Sequence, residues 1–86
     1  MDINSLNLII EKKISQNISC KKIIIEDKTY LHKNHKSHEK NKFHIKLIIK
    51  SDELLKMNRI DSTKKIYKIL DHELKYYIHS IEVLLN

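Results

Sequence analysis

From Phe43 to Lys50 the chain alternates between apolar and polar residues. Phe43, Ile45, Leu47 and Ile49 fall on one side, and His44, Lys46 and Lys50 on the other, with Ile48 among them. A period of two is that of a β-strand, and a single apolar side means one buried face. The remainder of the chain then has to supply neighbouring strands and a cover for that face.

Two other stretches supply strands. Lys22-Ile23-Ile24-Ile25-Glu26-Asp27 holds three β-branched residues in a row, poor for a helix and good for a strand covered on both faces. Near the C-terminus His79, Ile81, Val83 and Leu85 alternate with Ile78, Ser80, Glu82 and Leu84, which predicts a final strand. Helical spacing fills the gaps. Leu6, Ile9, Ile10 and Ile14 recur at three and four within residues 5–17, with Asn4 or Ser5 as the N-cap. Ser51-Asp52 caps a short helical turn, and Asp61-Ser62-Thr63 caps a helix whose stripe of Ile66, Ile69, Leu70 and Leu74 runs to about Tyr76.

Leu31 to Lys42 shows no apolar periodicity and reads as a long, positively charged loop. The expected order is α-β-β-α-α-β. The first two strands pair antiparallel, and a helical crossover brings the third in parallel. Three strands covered by helices on one face make a two-layer α/β (α+β) fold, here one domain over residues 1–86.

At 86 residues the core is modest: a domain of this size buries roughly 60% of the surface its unfolded chain exposes. The composition, 41% hydrophobic and 33% charged, is globular rather than disordered. The formal charge of +6 suits a nucleic acid, an anionic surface or an acidic partner, and selects none of them. Lysine carries nearly all of it, since Arg59 is the one arginine, so the excess reads as solvated surface. A lone cysteine, Cys20, excludes an internal disulfide and suits a reducing compartment. No signal peptide and no run of about 20 apolar residues is visible, so the cytoplasm is the expected location.

Templates for catalysis fail in turn. A chain without glycine has no phosphate-cradling loop of the Walker or Rossmann type, and no G-x-S-x-G turn presents a nucleophile. Cys20 lies among lysines, which would lower its pKa, yet no adjacent base is evident. Asp71, Glu73 and Glu82 read as surface carboxylates. The expectation is a binding protein, not an enzyme.

The histidines are the unusual inventory. His32, His35 and His38 fall at three-residue spacing in the loop, a set that either is a solvated polar segment or binds metal. His44, on the polar side of its strand, and His72, between Asp71 and Glu73, read as exposed. His79 opens the last strand in the same alternation as Ile81 and Val83, as either a hydrogen-bonded edge residue or a ligand.

Four segments together carry a resemblance. They are Asp27-Lys28-Thr29-Tyr30-Leu31-His32, Phe43 to Asp52, Ile66-Tyr67-Lys68-Ile69-Leu70 with Glu73-Leu74, and Ile78-His79-Ser80-Ile81. The second is similar to the H-F-K-V-x-[LIV]-V-S strand of the BolA family. The third resembles its helix pattern I-Y-x-x-L-x-x-E-L, and the fourth its I-H-A-L signature. The stretch from His44 to His79 follows the family order without a gap. The resemblance implies a fold similar to class II KH domains.

It further implies a partner, a monothiol glutaredoxin, and a [2Fe–2S] cluster bridged between the two with bound glutathione. His79 would then be one ligand, and His32 the second by position, with His35 and His38 as alternates. Imidazole in place of thiolate raises the potential of such a centre, and only neutral imidazole binds metal. Alone, the chain would be a monomer without cofactor.

Two departures stand out: Ser62-Thr63-Lys64 replaces the family's R-H-R, and Lys56 stands near a usual glycine. The loop is also longer than usual. The alternative role implied by the family is DNA-binding transcriptional regulation, for which Lys64 and Lys65 are the candidate contacts. The G-X-X-G clamp of KH domains is excluded in a chain without glycine. A zinc-binding histidine loop and a purely structural interaction module complete the alternatives.

Overall fold

The computed structural model describes residues 1–29 and 42–86. Seven elements follow in order: α1 (Ile3–Asn17), β1 (Lys22–Asp27), β2 (Phe43–Lys50), α2 (Asp52–Leu55), α3 (Arg59–Ile69), α4 (Asp71–Tyr76) and β3 (Ile78–Leu85). The strands form one sheet in the order β1-β2-β3, with β1 antiparallel and β3 parallel to the central β2. The expected pairing directions hold. The loop expected over Leu31 to Lys42 lies almost wholly outside the described residues.

Register assigns the two faces. Ile45, Leu47 and Ile49 of β2 stand beside Ile81, Val83 and Leu85 of β3, while Ile23 and Ile25 of β1 oppose Ile49 and Leu47. Leu6, Ile10 and Ile14 from α1, Leu54 from α2, Ile66 from α3 and Leu70 close over that side and complete the core. The opposite side carries Ile24, Ile48 and Leu84 in one row across the strands, flanked by Glu26, Lys46 and Glu82. Ile24 and Leu84 are exposed there. The expectation that β1 is covered on both faces is therefore corrected: an edge strand of a two-layer fold has one face in solvent, and Ile24 occupies it.

Two caps shift relative to expectation because α1 and α3 each start about one turn earlier. Asp2, not Asn4 or Ser5, caps α1, its Oδ1 accepting from the Ser5 N–H at 2.7 Å. Asn58, not Asp61, caps α3, accepting from the Asp61 N–H at 2.8 Å while its Nδ2 donates to the Asp61 carboxylate at 2.9 Å. The return bond ends on the cap's side chain, whereas in a capping box it ends on the cap's backbone N–H. Ser62, one of the expected caps, is instead fully buried and donates to the Arg59 carbonyl.

The single helix expected to reach Tyr76 is two helices. At Leu70 the backbone leaves helical values (φ −99°, ψ 17°). No glycine or proline marks the break; burial of Leu70 and the anchoring of α4 through Glu73 hold the new direction. Among the described residues no φ is positive. Lys56 sits in the right-handed helical region (φ −76°, ψ −17°), so the glycine of the family pattern is not required at that position.

Ser51 caps α2 as expected, and it does more. Its buried hydroxyl donates to the Ser19 carbonyl at 2.7 Å and accepts from the Leu54 N–H at 3.2 Å, joining the end of β2 to the α1–β1 turn. Ser51→Ala is expected to cost about 1–2 kcal/mol from the lost cap and the lost bond to the Ser19 carbonyl. A urea unfolding midpoint measures it, and a change below about 0.5 kcal/mol would show that the carbonyl finds water instead.

Candidate functional site

The site lies at the start of β3, where the ladder is irregular. Phe43 pairs with Ile78, but the next residue, His44, pairs with Ser80. One step on β2 therefore spans two on β3, and His79 is the extra residue of a β-bulge. Bulges release a residue from the ladder and re-aim its side chain. Ile78 takes the core position, 2% exposed, so His79 does not share the face of Ile81 and Val83 as its alternation suggested. The imidazole of His79 is exposed instead.

Beneath it lies a second imidazole. His44 is 5% exposed, with its ring centroid 4.8 Å from that of His79 and the planes tilted by 44°. Its Nδ1 is 2.6 Å from the Ser80 hydroxyl, the residue directly beside it on β3. The backbone is held as well. The His44 N–H donates to the Thr29 hydroxyl oxygen at 3.2 Å, and its carbonyl accepts from the Lys28 N–H at 2.7 Å. Thr29 is fixed in turn by the Asp27 carboxylate, which accepts from both its N–H and its hydroxyl. The reading of His44 as a surface residue is thus corrected: alternation assigned the correct face, but the bulge brings His79 against this end of it.

A hollow of about 280 Å³ beside the pair is lined by Lys28, His44, Lys46, Ser80 and Glu82 among others. A different hollow, lined by Leu54, Leu55, Met57, Arg59, Val83 and Leu85, lies at the far end of β3 and carries no histidine, cysteine or carboxylate. Among the described residues no three His, Cys, Asp or Glu side chains group so as to hold a metal ion by themselves. His32, His35 and His38 lie outside the described residues.

The other candidates scatter. His72 is exposed as expected, its ring 4.8 Å from that of Tyr76. Lys64 is exposed, whereas Lys65 is committed to Glu53 at 2.8 Å. The Lys65 hydrogen bond, with the Ser19 N–H, holds the Glu53 carboxyl below its ordinary value of 4.5. Its stabilising effect is accordingly complete above that pH and fades as the pH drops through the lowered value.

Asp71 and Glu82 are surface carboxylates, but Glu73 is not: it is 2% exposed and receives Lys13 Nζ on both oxygens at 2.8 Å. Spacing hid this, because Glu73 faces α1 only after the chain bends at Leu70.

Cys20 also reverses an expectation. Burial, and then the negative charge of Glu53, push its thiol above the ordinary 9.0, where neighbouring lysines had suggested a lowering. Thiolate is the reacting form, so Cys20 should alkylate several-fold more slowly than free cysteine at pH 8. Glu53→Gln should recover part of the rate. Alkylation faster than that of free cysteine would restore the lysine-activated thiol.

Two solved structures share this architecture. The BolA domain of SufE1 from Arabidopsis thaliana superimposes with a TM-score of 0.76 at 22% identity, covering 100% of this chain and 93% of that one. BolA1 from the same plant gives 0.73 at 21% identity, covering 90% and 85%. At those identities they speak for the fold alone. In sequence, the DNA-binding transcriptional regulator BolA of Haemophilus influenzae is 29% identical over 77 residues, 90% of this chain and 72% of the relative. The family model described as BolA-like protein matches residues 14–85. An α+β sheet in the order β1-β2-β3, a histidine set out in the last strand and a match over most of the length agree: this chain belongs to the BolA family.

Proposed function

We propose that this chain is an adaptor in iron–sulfur cluster assembly, trafficking or iron signalling, working with a monothiol glutaredoxin and a [2Fe–2S] cluster bridged between the two. The observation that supports it is His79, exposed at a bulge and backed by a buried second imidazole. One accessible imidazole fits a shared centre, to which each chain contributes part of the ligand set. His32 is the proposed second ligand, with His35 and His38 as alternates. When bound, the cluster supplies a redox-active unit whose potential rises as imidazole replaces thiolate.

What the chain itself contributes is placement. The bulge carries His79 out of the ladder, and β2 with Thr29 anchors the support beneath it. The reading involves no catalysis, and the protein alone is a monomer without cofactor.

The test is a titration of this protein into a monothiol glutaredoxin carrying a [2Fe–2S] cluster and glutathione, followed by visible circular dichroism and size exclusion. A reshaped spectrum and a heterodimer are expected. An unchanged spectrum with no complex would sink the adaptor reading.

The name of the Haemophilus influenzae relative favours a second reading, DNA binding. It would use the exposed Lys64 and the lysine excess rather than Lys65, which Glu53 neutralises. Each phosphate neutralised steepens the log–log salt dependence of affinity by about 0.9. Affinity that hardly varies with salt would remove this reading.

A further inference from the structure

We infer that Ser80 is a positioning residue for His79, acting through His44; the inference rests on the adaptor reading for the use made of His79. As the extra residue of the bulge, His79 lies between Ile78, paired with Phe43, and Ser80, paired with His44. Ladder pairing that orients every other β3 side chain does not orient this one. The ring contact with His44, at 4.8 Å and 44°, is one contact that orients it.

That contact directs His79 only if His44 itself holds still. The torsion about an imidazole's Cβ–Cγ bond is broad and roughly twofold, so burial alone leaves the ring two faces to present. The Ser80 hydroxyl, 2.6 Å from Nδ1, removes that choice. A hydroxyl both donates and accepts, so it bonds Nδ1 in either neutral tautomer, and a flipped ring breaks the bond in both cases. The His44 backbone is already fixed from the other edge by Thr29 and Lys28. Ser80, His44 and His79 thus form a short chain of contacts from strand to exposed imidazole, with the hydroxyl as its anchor.

Ser80 is itself exposed but its hydroxyl meets a buried imidazole nitrogen, so Ser80→Ala should melt a few degrees lower while remaining folded. The experiment compares wild type, Ser80→Ala and Ser80→Thr, first alone by imidazole ¹⁵N and ¹³C NMR, then by titration into the glutaredoxin-bound [2Fe–2S] cluster. In Ser80→Ala the ring resonances of both His44 and His79 are expected to move. Apparent affinity for the cluster-loaded partner should fall roughly tenfold, as when a support behind a metal ligand is lost. Ser80→Thr should restore both, and all three proteins should be folded at the temperature of the titration.

His79 resonances that stay in place in Ser80→Ala would overturn the inference. So would an unchanged affinity where wild type binds the cluster. If the resonances move but wild type leaves the cluster spectrum untouched, the positioning contact stands and the adaptor reading falls.

Discussion

Lys13→Met is expected to destabilise the protein by about 3 kcal/mol, more than Glu73→Gln at its partner. The pair spans 60 residues and closes α4 onto α1, with Nζ 2.8 Å from both carboxylate oxygens. The two ends differ in exposure. The side chain of Glu73 is 3% exposed and that of Lys13 is 37%. Removing the lysine strands a buried carboxylate, whereas removing the carboxylate frees a lysine that can swing into water.

Breaking a buried pair from the uncompensated side costs about 3–5 kcal/mol, and the partial hydration of Lys13 places this one at the lower end. Glu73→Gln leaves no buried charge and keeps an acceptor, so about 1–2 kcal/mol is expected. In a domain this small, 3 kcal/mol lowers the melting temperature by more than about 10 °C. Urea unfolding of both variants measures the order. Equal costs, or a milder Lys13→Met, would mean that Glu73 reaches water or another donor once its partner is gone.

His79→Ala should have the opposite profile: full loss of the proposed function with stability almost unchanged. The side chain is exposed and lies outside the ladder, so a change within about 0.5 kcal/mol is expected. In the glutaredoxin titration the variant should leave the cluster's circular dichroism as it was, while wild type alters it. His32→Ala, tested beside it, decides whether that loop residue is the second ligand. A His79→Ala protein that reshapes the spectrum as wild type does would remove His79 from the ligand set, whatever complex forms.

Much of the architecture is local and therefore legible in the chain. The period of two over Phe43–Lys50 and the isoleucine run in Lys22–Asp27 mark β1 and β2 with the bounds the structure has. The three- and four-residue spacing of Leu6, Ile10 and Ile14 marks the buried stripe of α1. His79 is legible too, through the motif around it. Caps are less so: Asp2 serves where Asn4 or Ser5 was expected, and Asn58 where Asp61-Ser62-Thr63 was, since several polar residues near a helix start are chemically competent and packing selects among them.

Sequence alone determined the three strands, the helices around them apart from the break at Leu70, the core face of β2 and the histidine of the last strand, because each follows from periodicity or motif within a short window. Tertiary structure alone decided that β1 is covered on one face, that Glu73 is buried against Lys13, and that His44 is buried beneath His79. These depend on pairs far apart in the chain, 36 residues for His44 with Ser80 and 60 for Lys13 with Glu73. The bulge is the clearest case. It shifts the register by one residue between two strands, and since side chains alternate with every residue, that one step reassigns His79 from the core face to solvent.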